Sequence, residues 1–351
     1  MAQDISKIDE NFKVDAEIKK DGLSFYNIDN PPFRIYGVFR EGHQYVRLPV
    51  EVSKSVSEGV FTLHANAAGG RVRFKTDSES VSIIATVGYP GKMSHFALTG
   101  SVGFDLYEKT AEGYNYVSSF IPPFDVEDKF EGTAHFGDSK LRDITINFPL
   151  YSNVHELYIG IADGSVLEAG DEYKPEAPMV YYGSSITQGG CASRPGTTYQ
   201  GIISRRFDRD FINLGFSGNA KAEDTMIEYI CGLEMSVFIE DYDHNAPDVA
   251  HLAATHEKLY KAVRESHPDI PIVLMSRPKY YLTDEEKERL CIIRTTYNNA
   301  LSAEDKNIYM LDGRQLMEYA GNEGTVDNCH PTDLGFASMA RALGDLFEKI
   351  L

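Results

Sequence analysis

The apolar residues of this chain change period partway along, and that change restricts the fold to two dissimilar parts. Before the stretch 165–178, apolar positions fall in short alternating runs: Gly59–Leu63, Arg71–Lys75, Val81–Thr86, Tyr114–Val117 and Asp143–Asn147, parted by Gly, Asn and Asp turns. Such runs predict antiparallel strands packed as a sandwich. After it, short apolar strands alternate with longer helical patterns. Ala250–Glu265 carries Leu252, Leu259 and Val263 on one helical face, Thr283-Asp-Glu-Glu286 is a capping box, and Leu334–Leu351 reads as a closing amphipathic helix. Strand–helix alternation predicts an α/β fold with a doubly wound parallel sheet. Asp163–Pro178, between the two, is acidic and rich in Gly and Pro. The expected organisation is an all-β, jelly-roll-like sandwich over 1–165, a linker over 166–178, and an α/β domain over 179–351.

Within the α/β part, four blocks follow predicted strands in a fixed order. Val180-Tyr-Tyr-Gly-Ser-Ser-Ile-Thr-Gln-Gly-Gly190 places Ser185 where a strand ends and a loop or helical turn begins. Asn213-Leu-Gly-Phe-Ser-Gly-Asn219 follows the strand Asp210–Leu214 and ends in a glycine turn. Phe238-Ile-Glu-Asp-Tyr-Asp-His-Asn245 ends on a side-chain amide, and Asp327-Asn-Cys-His-Pro331 puts an acid three residues before a histidine. Strand ends at the carboxyl edge of a parallel sheet are where open α/β folds bind ligands.

Serine, glycine, asparagine and histidine in this order resemble the SGNH hydrolase superfamily, the GDSL-like esterases. Ser185, Gly218, Asn245 and His330 match its four naming positions, and Asp327 matches its acid. The flanks Tyr182–Gly196, Ser276-Arg-Pro278 and His330-Pro-Thr-Asp-Leu-Gly335 resemble it too. One departure is Ser184, where the motif usually has Asp, which bears on how the loop is braced. Phe33–Gly37, Arg47-Leu-Pro49, Gly103-Phe-Asp-Leu-Tyr107 and Pro149–Val154 resemble the β-sandwich that precedes the catalytic domain in one subgroup of these esterases.

The chemistry needs these residue types for separate reasons. A serine hydroxyl is a poor nucleophile until a base takes its proton, and histidine is the residue type suited to that task, which makes His330 the candidate base. Asp327 would hold the other ring nitrogen. The resemblance implies an oxyanion hole of the Ser185 and Gly218 N–H groups with the Asn245 amide. Each residue has a second reading. Gly218 could serve only a positive-φ turn, Asn245 an ordinary turn before Ala246-Pro247, and Asp327 and His330 a capping acid and a surface histidine. Gly103–Tyr107 reads as a strand with a bulge glycine and a packed tyrosine, or as a ligand site. His244 reads as a bystander to Asn245. Arg194, in the loop after the nucleophile, is either a substrate contact or a structural ion pair.

Composition narrows the partners. Apolar content of 42% and charged content of 25% describe a globular chain, and no run approaches a membrane span. A net charge of −19, spread along the sequence, disfavours nucleic acid and anionic membranes as partners and suits neutral substrates. Cys191, Cys231, Cys291 and Cys329 form no C-x-x-C pair and have no histidine at zinc-finger spacing, so neither a metal site nor a cofactor is expected. The first residues carry no secretory pattern, which points to a cytoplasmic setting. A homo-oligomer is left open. From the resemblance, the expected activity is removal of small acyl groups, acetyl above all, from a carbohydrate or other small ester. The alternatives are a broad esterase or lysophospholipase, and a glycan-binding protein with a spent hydrolase domain.

Overall fold

The computed structural model describes residues 18–173 and 177–351. Residues 18–169 contain two large antiparallel sheets and a two-stranded ribbon, Phe39–Glu41 with Gln44–Val46. One orders the strands Ile18–Lys20, Leu23–Asn27, Asn153–Ala162, Ser80–Gly88 and Lys129–His135. The other orders Leu167–Ala169, Arg71–Thr76, Arg142–Asn147, Phe104–Thr110 and Gly113–Phe120. On Ser80–Gly88, Val81, Ile83, Ala85 and Val87 recur at every second position and are buried with Phe74, Leu106, Ile144 and Ile146 in a shared core.

Two segments differ from the sequence expectation. Gly59–Leu63 is helical, not extended. The helix Glu58–Leu63 is capped by the Ser57 side chain, which accepts the Val60 N–H at 3.2 Å, and Val60 joins the core that contains Val180 and Tyr182. The stretch 166–178 is not a free linker. Leu167–Ala169 pairs with Arg71–Thr76 in register Leu167↔Thr76 to Ala169↔Phe74, Asp171 pairs with Lys75 at 2.6 Å, and Arg71 Nε donates to the Tyr173 hydroxyl. Its acidic residues face basic partners on the sheet, so the composition that reads as a linker also docks. Residues 174–176 of that stretch, and residues 1–17 of the expected sandwich, lie outside the described residues.

The second part is an all-parallel sheet in the order Phe211–Gly215, Met179–Gly183, Val237–Asp241, Ile272–Met275 and Ile308–Leu311. Helices including Tyr199–Phe207, Val249–Ser266, Asp284–Ser302 and Asp333–Ile350 cover it, and the capping box at Thr283 is formed. Both faces of the first strand are buried, Met179 and Tyr181 in one core and Val180 and Tyr182 in the other. In this order the connections reverse direction between Met179–Gly183 and Val237–Asp241, and a crevice opens there beyond the strand ends.

Candidate active site

The Ser185 turn sits at that crevice. Met179–Gly183 ends, and Ser185–Gln188 forms a short helix whose N-cap is Ser184, its side chain accepting the Ile186 N–H at 3.1 Å. Ser185 Oγ lies 2.9 Å from His330 Nε2. The helix is fastened along its length. Thr187 Oγ1 donates to Asp241 Oδ2 at 3.0 Å, Gln188 Nε2 to Asn66 Oδ1 at 3.1 Å, and the Tyr151 hydroxyl to the Ser185 carbonyl at 3.2 Å. Gln188 Oε1 accepts the Ser217 N–H at 3.0 Å and so links the serine turn to the glycine block. The two pass closely: a methyl group on Gly215 would sit 2.2 Å from the Gln188 nitrogen, so only glycine fits there.

Asp327 and His330 share one tight turn. Val326 N–H donates to the His330 carbonyl at 2.9 Å, and Thr325 bridges Pro331. Asp327 Oδ1 accepts the N–H groups of Cys329 (3.0 Å) and His330 (2.7 Å), while Oδ2 takes His330 Nδ1 at 2.7 Å. The three-residue offset works because the carboxylate caps its own turn, and Asn328 tolerates the left-handed φ of 65° this requires. Burial pushes the Asp327 carboxyl up. The backbone N–H and ring of His330, its charge and the Cys329 N–H outweigh burial and hold the carboxyl at about 2. Nδ1–H is thereby committed to the acid, and the Nε2 lone pair is left for the serine proton.

Gly218 and Asn245 stand on the loops after the two flanking strands. Gly218 has φ +69°, and the turn closes through Asn219 N–H to the Phe216 carbonyl, a bond that does not use the Gly218 N–H. Asn245 Oδ1 accepts the Ala220 N–H at 3.4 Å, which leaves Nδ2 as the free end of the amide. The Ser185 N–H, in the first turn of its helix, has no intrahelical acceptor. Beneath the glycine block lies Arg47, from the sandwich side and fully buried. It donates to the carbonyls of Asn66 (2.6 Å), Asn213 (3.0 Å) and Gly215 (2.7 Å). Arg47, Tyr151 and Gln188 all lie in segments that carry the family resemblance, but nothing in those segments assigns them these contacts.

The fold gives His244, Arg194 and Cys191 definite neighbours. His244 is no bystander: Nε2 lies 2.6 Å from Ser184 Oγ and Nδ1 lies 2.8 Å from Asp243 Oδ1. Arg194 forms the structural ion pair, one of its two readings. Its Nη1 donates to Asp105 Oδ2 at 3.1 Å and to the Tyr107 hydroxyl, and the guanidinium lies 3.9 Å from the Tyr116 ring centre. Asp105, fully buried, also accepts Asn147 Nδ2 and the Gly196 N–H. Gly103–Tyr107 is therefore a latch that grips the loop after the Ser185 helix, with its bulge at Leu106/Tyr107. Finally, cysteine spacing pointed to no metal donors, yet the fold brings His95, Cys191 and His330 together, their donor atoms within 4.8 Å of one another. All four cysteines are free, and among the described residues no helix is long and apolar enough to cross a membrane.

The chain matches known families on both sides of this site. Residues 176–350 match the GDSL-like lipase/acylhydrolase family, and residues 23–167 match the N-terminal region of SGNH-hydrolase-type esterases. No curated protein matches it by sequence. Among solved structures, a Bacteroides ovatus ATCC 8483 protein described by its GDSL-like lipase family is 26% identical, with TM-score 0.84 over 93% of this chain and 98% of that one. The salicylyl-acyltransferase SsfX3 of a tetracycline biosynthetic pathway is 17% identical, with TM-score 0.77 over 95% and 99%. An acetyl xylan esterase of the rumen bacterium Butyrivibrio proteoclasticus is 11% identical, with TM-score 0.60 over 94% and 98%. With both halves matched and the parallel sheet behind the serine turn, the chain belongs to the GDSL-like (SGNH) esterases whose hydrolase domain follows an N-terminal β domain.

Proposed function

We propose that this enzyme is a serine esterase that removes small acyl groups, acetyl above all, from carbohydrate oxygens. The observation that carries the reading is the continuous array Ser185 Oγ–His330 Nε2 (2.9 Å) and His330 Nδ1–Asp327 Oδ2 (2.7 Å) at the sheet's switch point. In this reading Ser185 Oγ attacks the acyl carbonyl while its proton passes to His330 Nε2. Asp327 stabilises the imidazolium, which returns the proton to the departing sugar oxygen. Water then repeats the sequence on the acyl-enzyme. The Ser185 and Gly218 N–H groups and Asn245 Nδ2 hold the oxyanion, each donor contributing about 100- to 1000-fold in rate.

The sugar part of the reading is supported by the acetyl xylan esterase that shares the fold. The test is hydrolysis of p-nitrophenyl acetate against butyrate and longer esters, then mass spectrometry of a panel of acetylated glycans. Acetate preferred and acetyl lost from a glycan supports the reading. Preference for long acyl chains with intact glycans would replace it with a lipase-type activity.

A further inference from the structure

We infer that His95, Cys191 and His330 form a binding site for a soft divalent cation, Zn2+ foremost, and that the cation shuts the enzyme off by occupying the base. The three side chains come from separate parts of the chain. His95 is exposed on the sandwich loop between Ser80–Gly88 and Leu98–Ser101, Cys191 follows the serine helix, and His330 lies on the turn of the acid. The rings of His95 and His330 have centroids 5.7 Å apart, and the three donor atoms lie within 4.8 Å of one another.

That spacing is close to what the ion requires. Zinc–nitrogen bonds of about 2.0–2.1 Å and zinc–sulfur bonds of about 2.3 Å put tetrahedral ligands about 3.3–3.8 Å apart. Closing the site needs shifts on the order of 1 Å, which an exposed imidazole such as His95 makes by side-chain rotation. Two imidazoles and a thiolate select zinc-like ions over magnesium or calcium. The outer shell is already built: His330 donates Nδ1–H to Asp327 at 2.7 Å, the carboxylate–histidine arrangement that orients metal-binding imidazoles. The Cys191 N–H, on the Pro331 carbonyl at 3.1 Å, pins the cysteine to the same turn. In the other group, Asp243 and His244 bond each other, the Arg277 N–H and Ser184, and Asp241 Oδ2 accepts from Thr187 and Tyr199.

On binding, Cys191 loses its thiol proton to solvent and the ion takes the Nε2 lone pair of His330, leaving the fourth position to water. Loss of that lone pair stops proton transfer from Ser185. This last consequence rests on the proposed role of His330; the binding does not.

The test therefore has two arms. In the first, full-length Ser185→Ala protein is titrated with ZnCl2 by calorimetry. One micromolar-range site is expected, weakened about 100-fold or more by either His95→Ala or Cys191→Ser. With CoCl2 the same protein should show thiolate-to-cobalt absorption that Cys191→Ser lacks. Unchanged zinc affinity in both variants, each with a normal melting curve, overturns the site, as does the absence of any binding. In the second arm, zinc inhibits hydrolysis of p-nitrophenyl acetate, chelation reverses it, and His95→Ala needs at least about tenfold more zinc while keeping its metal-free rate. An enzyme that hydrolyses the ester and ignores zinc sinks the inference alone. Absence of hydrolysis with intact zinc binding sinks the esterase reading alone.

Discussion

Ser184 Oγ lies 2.6 Å from His244 Nε2, so two neighbouring serines each face their own histidine–aspartate pair. The two arrays differ in access. Ser184 is fully buried and its oxygen is already the N-cap acceptor of Ile186, whereas Ser185 is 6% exposed and its oxygen faces His330. His244 carries Nδ1–H to Asp243, which in turn accepts the Arg277 N–H at 3.1 Å. Where the motif usually has an aspartate, this chain reaches a carboxylate through a histidine, and the link joins the serine turn to the Asn245 loop. We expect His244→Ala and Ser184→Ala each to lower kcat about 10- to 100-fold with little change in KM, and the double variant to be no worse than the weaker single. Additive losses in the double-variant cycle would mean that the two side chains act separately.

The choice between the serines has a direct check. Ser185→Ala should cut kcat by about 10000-fold or more with an unchanged melting temperature, and His330→Ala nearly as much. Asp327→Asn should be about 100-fold milder, because its partly exposed carboxylate can be replaced in part by water. A dead Ser184→Ala beside an active Ser185→Ala would reverse the assignment.

Arg194 should matter for stability rather than for substrate. Removing it leaves Asp105 buried with one cationic partner fewer, at a cost of about 3 kcal/mol. Urea denaturation of Arg194→Ala should report that loss, and Arg194→Lys should not recover it, since lysine lacks the planar guanidinium that lies against the Tyr116 ring while Nη1 meets Asp105 and Tyr107. Full stability of Arg194→Ala, with KM raised for an acetylated sugar, would restore the substrate reading.

Asp241 sets a pH signature. Burial raises its carboxyl to about 7, and one of its oxygens has no hydrogen-bond partner. The unfolded chain gives up this proton near pH 4, whereas the folded chain keeps it until near pH 7. This residue therefore costs stability progressively as pH rises from about 4 to 7, and in full above that. Asp241→Asn should remove the cost, so its melting temperature should exceed the wild type's at pH 8 and converge with it near pH 4. A variant less stable than wild type at pH 8 would show that the carboxylate is ionised and paired in the folded protein.

The sequence by itself determined the two-part architecture, the strand ends and the Ser185, Gly218, Asn245, Asp327 and His330 blocks. Period-two and helical patterns report local burial, and the acid–base pair is a local turn closed by Asp327 on its own backbone N–H groups. Thr283 was legible for the same reason, because a capping box lies within four consecutive residues. Gly59–Leu63 was misread because an alternating run is also compatible with a short helix once Ser57 caps it and Val60 finds the other domain's core. Only tertiary structure decided the rest. Ser184 meets His244 across 60 positions, Arg194 meets Asp105 across 89, and Arg47 reaches the carbonyl of Gly215 across 168. None of these pairs has a periodicity or a spacing to announce it: Ser184–His244 joins the ends of two neighbouring strands of the parallel sheet, and the other two are made by packing the sandwich against that sheet. A buried polar side chain must find its partner wherever the fold places one.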